Sequence, residues 1–189
     1  MIAEHFSALA RALDATGAAA PKIESWARVL ADVLGSGGRL LACGNGGSAA
    51  EAQHLTGELV GRFRDDRPPF SAIALHADTS AGTAITNDYG AAELFARQVH
   101  AHGRPRDVLI ALSTSGTSEN VCAAAKAAQQ VGMFTWALTG PPPNTLASLC
   151  DDAITVDAPS TATVQEVHLA IVHALCAVFD DVLGFRERA

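Results

Sequence analysis

Two kinds of hydrophobic spacing divide the chain. Up to residue 34 the apolar positions recur every three or four residues: Ile2, Phe6, Leu9 and Leu13, then Ile23, Trp26, Val29, Leu30 and Val33. That spacing lines one face of an α-helix, and the break at residues 17–21 predicts two helices rather than one. Gly35, Gly37 and Gly38 close the second. From residue 39 short continuous apolar runs take over, at 39–43, 70–75, 107–112, 133–138 and 153–156. Between them lie helical patterns, to about residue 63, at 91–101, at 119–131, briefly near Leu146, and at roughly 163–182.

Buried runs alternating with amphipathic helices predict βαβ units. The expected fold class is therefore α/β: three layers, with a parallel five-stranded sheet covered on both faces and helices added at the N-terminus. The chain then reads as a helical segment, 1–34, and a sheet-bearing domain, 35–189, in a single structural unit. In such a sheet ligands bind beyond the carboxyl ends of the strands, near the topological switch point. The loops after the first four strands are where chemistry is expected.

Composition narrows the partners. A formal charge of −7 excludes a nucleic-acid binder that works by neutralising phosphates. Arg62, Arg64 and Arg67 alternate with Asp65 and Asp66 and read as a solvated loop. Cys43, Cys122, Cys150 and Cys176 form no CxxC pair and read as small buried thiols in a reducing cytosol. There is no signal-peptide pattern, and no apolar run approaches the ~18 residues of a membrane span. A cytoplasmic protein with neither a membrane nor a nucleic-acid partner is expected.

The first loop, "CGNGGSAAEAQH", sets Asn45, Gly46 and Gly47 before a helix that begins near Ser48. Glycines allow close backbone approach, and a helix start points free N–H groups at a ligand, so an anion is the natural guest. The spacing matches neither a dinucleotide fingerprint nor a Walker loop. A plain turn with Ser48 as N-cap explains this loop equally well. The third loop, "STSGTSEN", shifts the balance. Ser113, Thr114, Ser115, Thr117 and Ser118 offer more hydroxyls than a helix cap requires, and suit a phosphate monoester held without lysine.

His54 and Glu58 are i and i+4 and share a helix face. Gln165, Glu166, His168 and His173 lie on the last helix. Two readings stay open: acid–base catalysis by a carboxylate and an imidazole, or a divalent metal held by His54, Glu58 and His173 with Gln165 as a weaker ligand. On a straight helix Gln165 and His173 are about 12 Å apart. A shared ion then needs long reaching side chains, a bend, or donors from two subunits. In "ITNDYG", Asn87 and Asp88 could bond sugar hydroxyls, although the spacing favours a turn ending at Gly90.

Four stretches, "CGNGGSAAEAQHLTGELVGRF", "TAITNDYG", "LSTSGTSENV" and "VQEVHLAIVHAL", resemble in order the sugar isomerase (SIS) domain proteins, and among them the bacterial phosphoheptose isomerases. The resemblance spans about residues 1 to 182. It implies a flavodoxin-like SIS domain and an aldose–ketose isomerase that converts sedoheptulose 7-phosphate to D-glycero-D-manno-heptose 7-phosphate. It implies substrate contacts from Asn45, Gly46, Gly47, Ser48, Asn87, Asp88, Ser113, Thr114, Ser115, Ser118 and Gln165. Glu58 and His173 match the family's proposed catalytic pair. His54, Glu58, Gln165 and His173 match a zinc site, one per subunit, seen in part of the family. Homotetramers with shared active sites and an N-terminal helical interface are implied as well. Alternatives are a non-catalytic SIS tetramer that binds the replication initiator DnaA, or an isomerase of another sugar phosphate; the filled His/Glu and Gln/His positions favour the enzyme. Thr163-Val164 stands where the family usually has Arg-Ile, "STSGTS" replaces "STSGNS", and "PPPN" follows Thr139–Gly140.

Overall fold

Each of the five apolar runs forms a strand. In the computed structural model, which describes residues 1–185, these are β1 (Leu40–Cys43), β2 (Ala72–Ala74), β3 (Val108–Ser113), β4 (Phe134–Thr139) and β5 (Asp152–Thr155). They pair in the order β2-β1-β3-β4-β5, every neighbouring pair parallel. This is the flavodoxin-like doubly wound order, and its direction of winding reverses between β1 and β3.

The helices are α1 (Ile2–Thr16), α2 (Ala20–Gly35), α3 (Gly47–Val60), α4 (Thr79–Tyr89), α5 (Ala96–His102), α6 (Glu119–Val131), α7 (Thr145–Leu149) and α8 (Thr161–Val182). Because side chains alternate along a strand, the sheet feeds two cores. Leu40, Ala42, Val108, Ile110 and Leu112 pack with α2, α3 and α8, while Leu41, Cys43, Leu109 and Ala111 pack with α5, α6 and α7. A strand buried on both faces reads as an unbroken apolar run, which is why β3 was legible without alternation.

By length and composition α8 could cross a membrane, contrary to the sequence expectation of no such run. Val164, Val167, Ile171, Val172 and Leu175 are instead buried in the first core, so its apolar character is that of a central helix. Trp26 of α2 stacks on Trp136 of β4, with ring centroids 4.9 Å apart and planes 8° from parallel. The Trp26 indole N–H donates to Asp152 Oδ2 at 2.8 Å, and Lys22 Nζ donates to Asp152 Oδ1 at 2.6 Å. These contacts dock α2 on the sheet. By contrast α1 buries only Ala12 and leaves Ile2 and Phe6 largely exposed, with one polar tie, His5 Nε2 to Glu166 Oε1 at 2.8 Å.

Three local expectations change. The polar stretch after β2 is not a loop: it contains α4, which buries no residue and so carries no apolar signature; its start is marked by Asp78, whose Oδ1 accepts from Ala81 N–H. The helix expected at 91–101 is a 3₁₀ turn, Ala91–Glu93, followed by α5. Arg67 is not part of a solvated loop. Its side chain is fully buried, donating Nε to Asp180 Oδ1 at 2.8 Å and the guanidinium's other nitrogens to the carbonyls of Glu58, Leu59 and Pro68. Two of those carbonyls end α3, where helix geometry leaves acceptors unpaired.

Candidate active site

The switch point puts the starts of α3 and α6 side by side. Neither has a side-chain cap, whereas α4, α7 and α8 are capped by Asp78, Asn144 and Ser160. Ser48 is buried in the first turn of α3 and caps nothing, which removes the plain-turn explanation of that loop. The first N–H groups of α3 are thus open to an anion, with the positive end of the helix dipole behind them.

The hydroxyl loop is ordered from within. Ser113 Oγ lies 3.0 Å from Ser118 Oγ and 3.4 Å from Ser115 Oγ, and it accepts from Gly116 N–H at 3.2 Å. Ser115 Oγ accepts from Thr117 N–H at 3.2 Å and from Thr117 Oγ1 at 3.1 Å. Asn45 and Asn120 join the two loops by a reciprocal pair of amide hydrogen bonds, each 2.9 Å. Asn45 was expected to contact substrate; its amide is engaged in this brace. Asn120 was missed, because one asparagine at a helix start carries no distinguishing pattern. Asn144 is a second unforeseen brace, donating to Thr139 Oγ1 at 3.0 Å while capping α7.

From this anion end α3 and α8 pack side by side. Gln165 lies at the start of that pairing: a Cβ on Gly47 would stand 2.6 Å from the Gln165 carboxamide, so the glycine is what admits it. Further along, three groups converge. His54 Nε2 is 2.9 Å from His173 Nε2 and 3.1 Å from Glu58 Oε1. The ligand atoms of His54, Glu58 and His173 all lie within 4.8 Å of one another, although 119 residues separate the two histidines. Phe63 packs beside the His173 ring, with centroids 5.8 Å apart. Cys176 lies beneath; burial, with the Glu58 and Asp180 carboxylates adding to it, pushes its thiol up to about 12. It stays protonated and unreactive.

Two imidazoles and a carboxylate within that span match the donor chemistry of a catalytic zinc site, which takes three protein ligands and keeps one position open. Gln165 is not gathered with them. It stands beside Gly47, seven residues before His54 on α3, a rise of about 10 Å. Asn87 lines a different cleft, along α4 with His76 and Thr83, and donates to Asp88 Oδ1 at 2.8 Å. Thr163, at the family's arginine position, is fully buried beneath Ser160, its Oγ1 2.9 Å from the Ser160 hydroxyl.

Comparison with known proteins gives the family. The SIS domain family matches residues 4–140. The chain is 63% identical to the phosphoheptose isomerase of Streptomyces coelicolor over 95% of its own length and 78% of the relative's. It is 50% identical to that of Thiobacillus denitrificans over 96% and 94% of the two chains. The solved structure of a phosphoheptose isomerase from Francisella tularensis superposes with a TM-score of 0.90 at 38% identity, covering 95% of this chain and 96% of that one.

The chain belongs to the phosphoheptose isomerases of the SIS-domain family.

As a phosphoheptose isomerase it acts on a heptose phosphate. The phosphoheptose isomerase fold makes one loop contact testable directly. Gly140 Cα faces the backbone carbonyl of Thr114 so closely that a Cβ would overlap it. Gly140→Ala is expected to displace the hydroxyl loop, costing about 1–3 kcal/mol of stability and weakening sugar-phosphate binding. Urea unfolding and binding calorimetry check both.

Proposed function

We propose that this chain converts sedoheptulose 7-phosphate into D-glycero-D-manno-heptose 7-phosphate through a cis-enediol, in active sites shared between subunits of a cytoplasmic homotetramer. The observation that supports it most is the convergence of His54, Glu58 and His173 on one point of α3 and α8, on the helix whose uncapped start lies beside the hydroxyl loop. Gly46, Gly47, Ser48, Ser113, Thr114, Ser115 and Ser118 hold the phosphate. Gln165, Asn87 and Asp88 face sugar hydroxyls, the last two from a neighbouring subunit or after closure, and Asn45, braced by Asn120, has only the second hydrogen of its amide to offer one. The exposed apolar residues of α1, Ile2 and Phe6, suit a subunit interface.

The ring-opened ketose carries its carbonyl at carbon 2. Glu58 takes a proton from carbon 1, and the electron pair left behind forms the carbon 1–carbon 2 double bond as oxygen 2 gains a proton. Return of a proton to carbon 2, with loss of the proton on oxygen 1, leaves the aldehyde at carbon 1. Carbon 1 is oxidised and carbon 2 reduced, so no external oxidant or reductant enters. His173 exchanges protons with the two oxygens; an imidazole can both donate and accept a proton, which suits that shuttling.

His54, Glu58 and His173 would hold a zinc ion, one per subunit, with Gln165 a fourth donor only across a subunit boundary. A bound zinc supplies Lewis acidity toward the substrate carbonyl. The three side chains are pre-arranged for either duty, because α3 and α8 already present them to one point.

Incubation with sedoheptulose 7-phosphate, following aldose formation, tests the proposal. Turnover is expected; its absence, with tight binding of the replication initiator DnaA instead, would support a non-catalytic SIS tetramer. Treatment of the active protein with a chelator is expected to lower the rate, and zinc to restore it. A rate untouched by chelation assigns the triad to acid–base work alone.

A further inference from the structure

Behind the triad lies a second carboxylate–imidazole pair to which the chemistry above gives no task. His168 of α8 is fully buried, and Glu51 of α3 is 8% exposed. His168 Nε2 lies 3.1 Å from the carbonyl oxygen of Thr139 at the end of β4, so that nitrogen carries a hydrogen and donates. Its Nδ1 faces Glu51 Oε2 at 3.8 Å, and neither atom has another partner. At that separation the two form a close carboxylate–imidazole contact rather than a hydrogen bond, and each is the nearest polar group available to the other in a buried place.

The place of this pair in the fold gives it a function. On α3, Glu51 falls between Gly47 and Glu58; on α8, His168 falls between Gln165 and His173. The helices run in the same direction, since Gln165 meets Gly47 and His173 meets His54. We propose that the buried Glu51–His168 pair, anchored by the His168–Thr139 hydrogen bond, is a positioning element for the isomerase: it pins α8 in axial register against α3 and against the end of β4, and so sets the separation of His173 from Glu58. This rests on the reading of the triad under Proposed function.

A slide of α8 by about 1 Å is enough to cost on the order of 100-fold in rate when catalytic groups lose alignment. An apolar contact at the same place resists sliding poorly, because dispersion is non-directional and many offsets pack nearly as well. The His168–Thr139 hydrogen bond, with the Glu51 carboxylate facing the other ring nitrogen, has one good offset.

The test uses the full chain. Glu51→Leu combined with His168→Phe removes both members of the pair, and the Thr139 carbonyl that loses His168 keeps Val156 N–H at 2.9 Å, so no buried group is left unpaired to unfold the protein. That double variant is expected to remain folded, to lose on the order of 100-fold in kcat with KM little changed, and to bind zinc more weakly by calorimetry. Glu51→Gln should retain most of the rate, because its carboxamide keeps the shape of the side chain and offers an N–H toward His168. A folded double variant with the parent's kcat and zinc affinity overturns the proposal. So does its crystal structure if α8 keeps the parent register on α3. Should the parent protein itself fail to turn over sedoheptulose 7-phosphate, the functional proposal falls, while zinc affinity and register still decide this one.

Discussion

Glu58→Gln is expected to fold and to bind sugar phosphate as the parent does, and to lose about 10²–10⁴-fold in kcat. The substitution keeps the shape of a side chain that is mostly buried on α3, and a carboxamide can still meet His54. What disappears is the basic oxygen that has to accept the carbon-bound proton. KM should stay close to the parent's, since the proposed phosphate site, at Gly47 and the hydroxyl loop, lies more than two turns away along α3. Steady-state kinetics with a thermal-unfolding control checks this, and a fully active Glu58→Gln variant refutes the assignment of the base.

The largest effect on stability is expected at Arg67. Arg67→Leu strands Asp180 and takes a donor from the carbonyls of Glu58 and Pro68, while that of Leu59 keeps Phe70 N–H at 3.0 Å; breaking a buried pair from one side costs about 3–5 kcal/mol. The direction with pH follows from Asp180. Burial already raises its carboxyl above the ordinary aspartate value, with Arg67 pulling it back. In the variant only the raising influence remains of these two. The folded state then holds a proton that the unfolded chain has released, so stability falls as pH rises above the ordinary aspartate range. The deficit of Arg67→Leu relative to the parent should therefore be greatest near neutral pH and shrink in acid, where Asp180 is uncharged in both states. Urea unfolding at several pH values reads this out; a deficit that does not vary with pH would place the loss in the carbonyls and aromatic contacts instead.

Burial decided how much could be foreseen. β1, β3 and β4 announce themselves because two helical layers cover them and every position must be apolar or small. α4 does not, because Thr79–Tyr89 buries nothing and helical periodicity is a record of burial. In the site, His54 and Glu58 were visible as an i, i+4 pair, since helix geometry makes them neighbours without any tertiary information. The approach of His173 needed the resemblance to a known family, because nothing local to either helix encodes which neighbour it will meet. Arg67 was misread for the same reason: its flanking charges describe the surface, while its partner Asp180 lies 113 residues away. Gln165 stands not with the triad but beside the start of α3, where a missing Cβ on Gly47 makes room for it.

The stacked indoles of Trp26 and Trp136 are the chain's only two tryptophans. Ultraviolet-excited emission therefore comes chiefly from the seam between α2 and the sheet, and excitonic coupling of two nearly parallel rings should mark the near-ultraviolet circular dichroism. The protein thus carries its own optical gauge of whether the N-terminal layer is seated, and the unfolding of Arg67→Leu can be followed without attaching a dye.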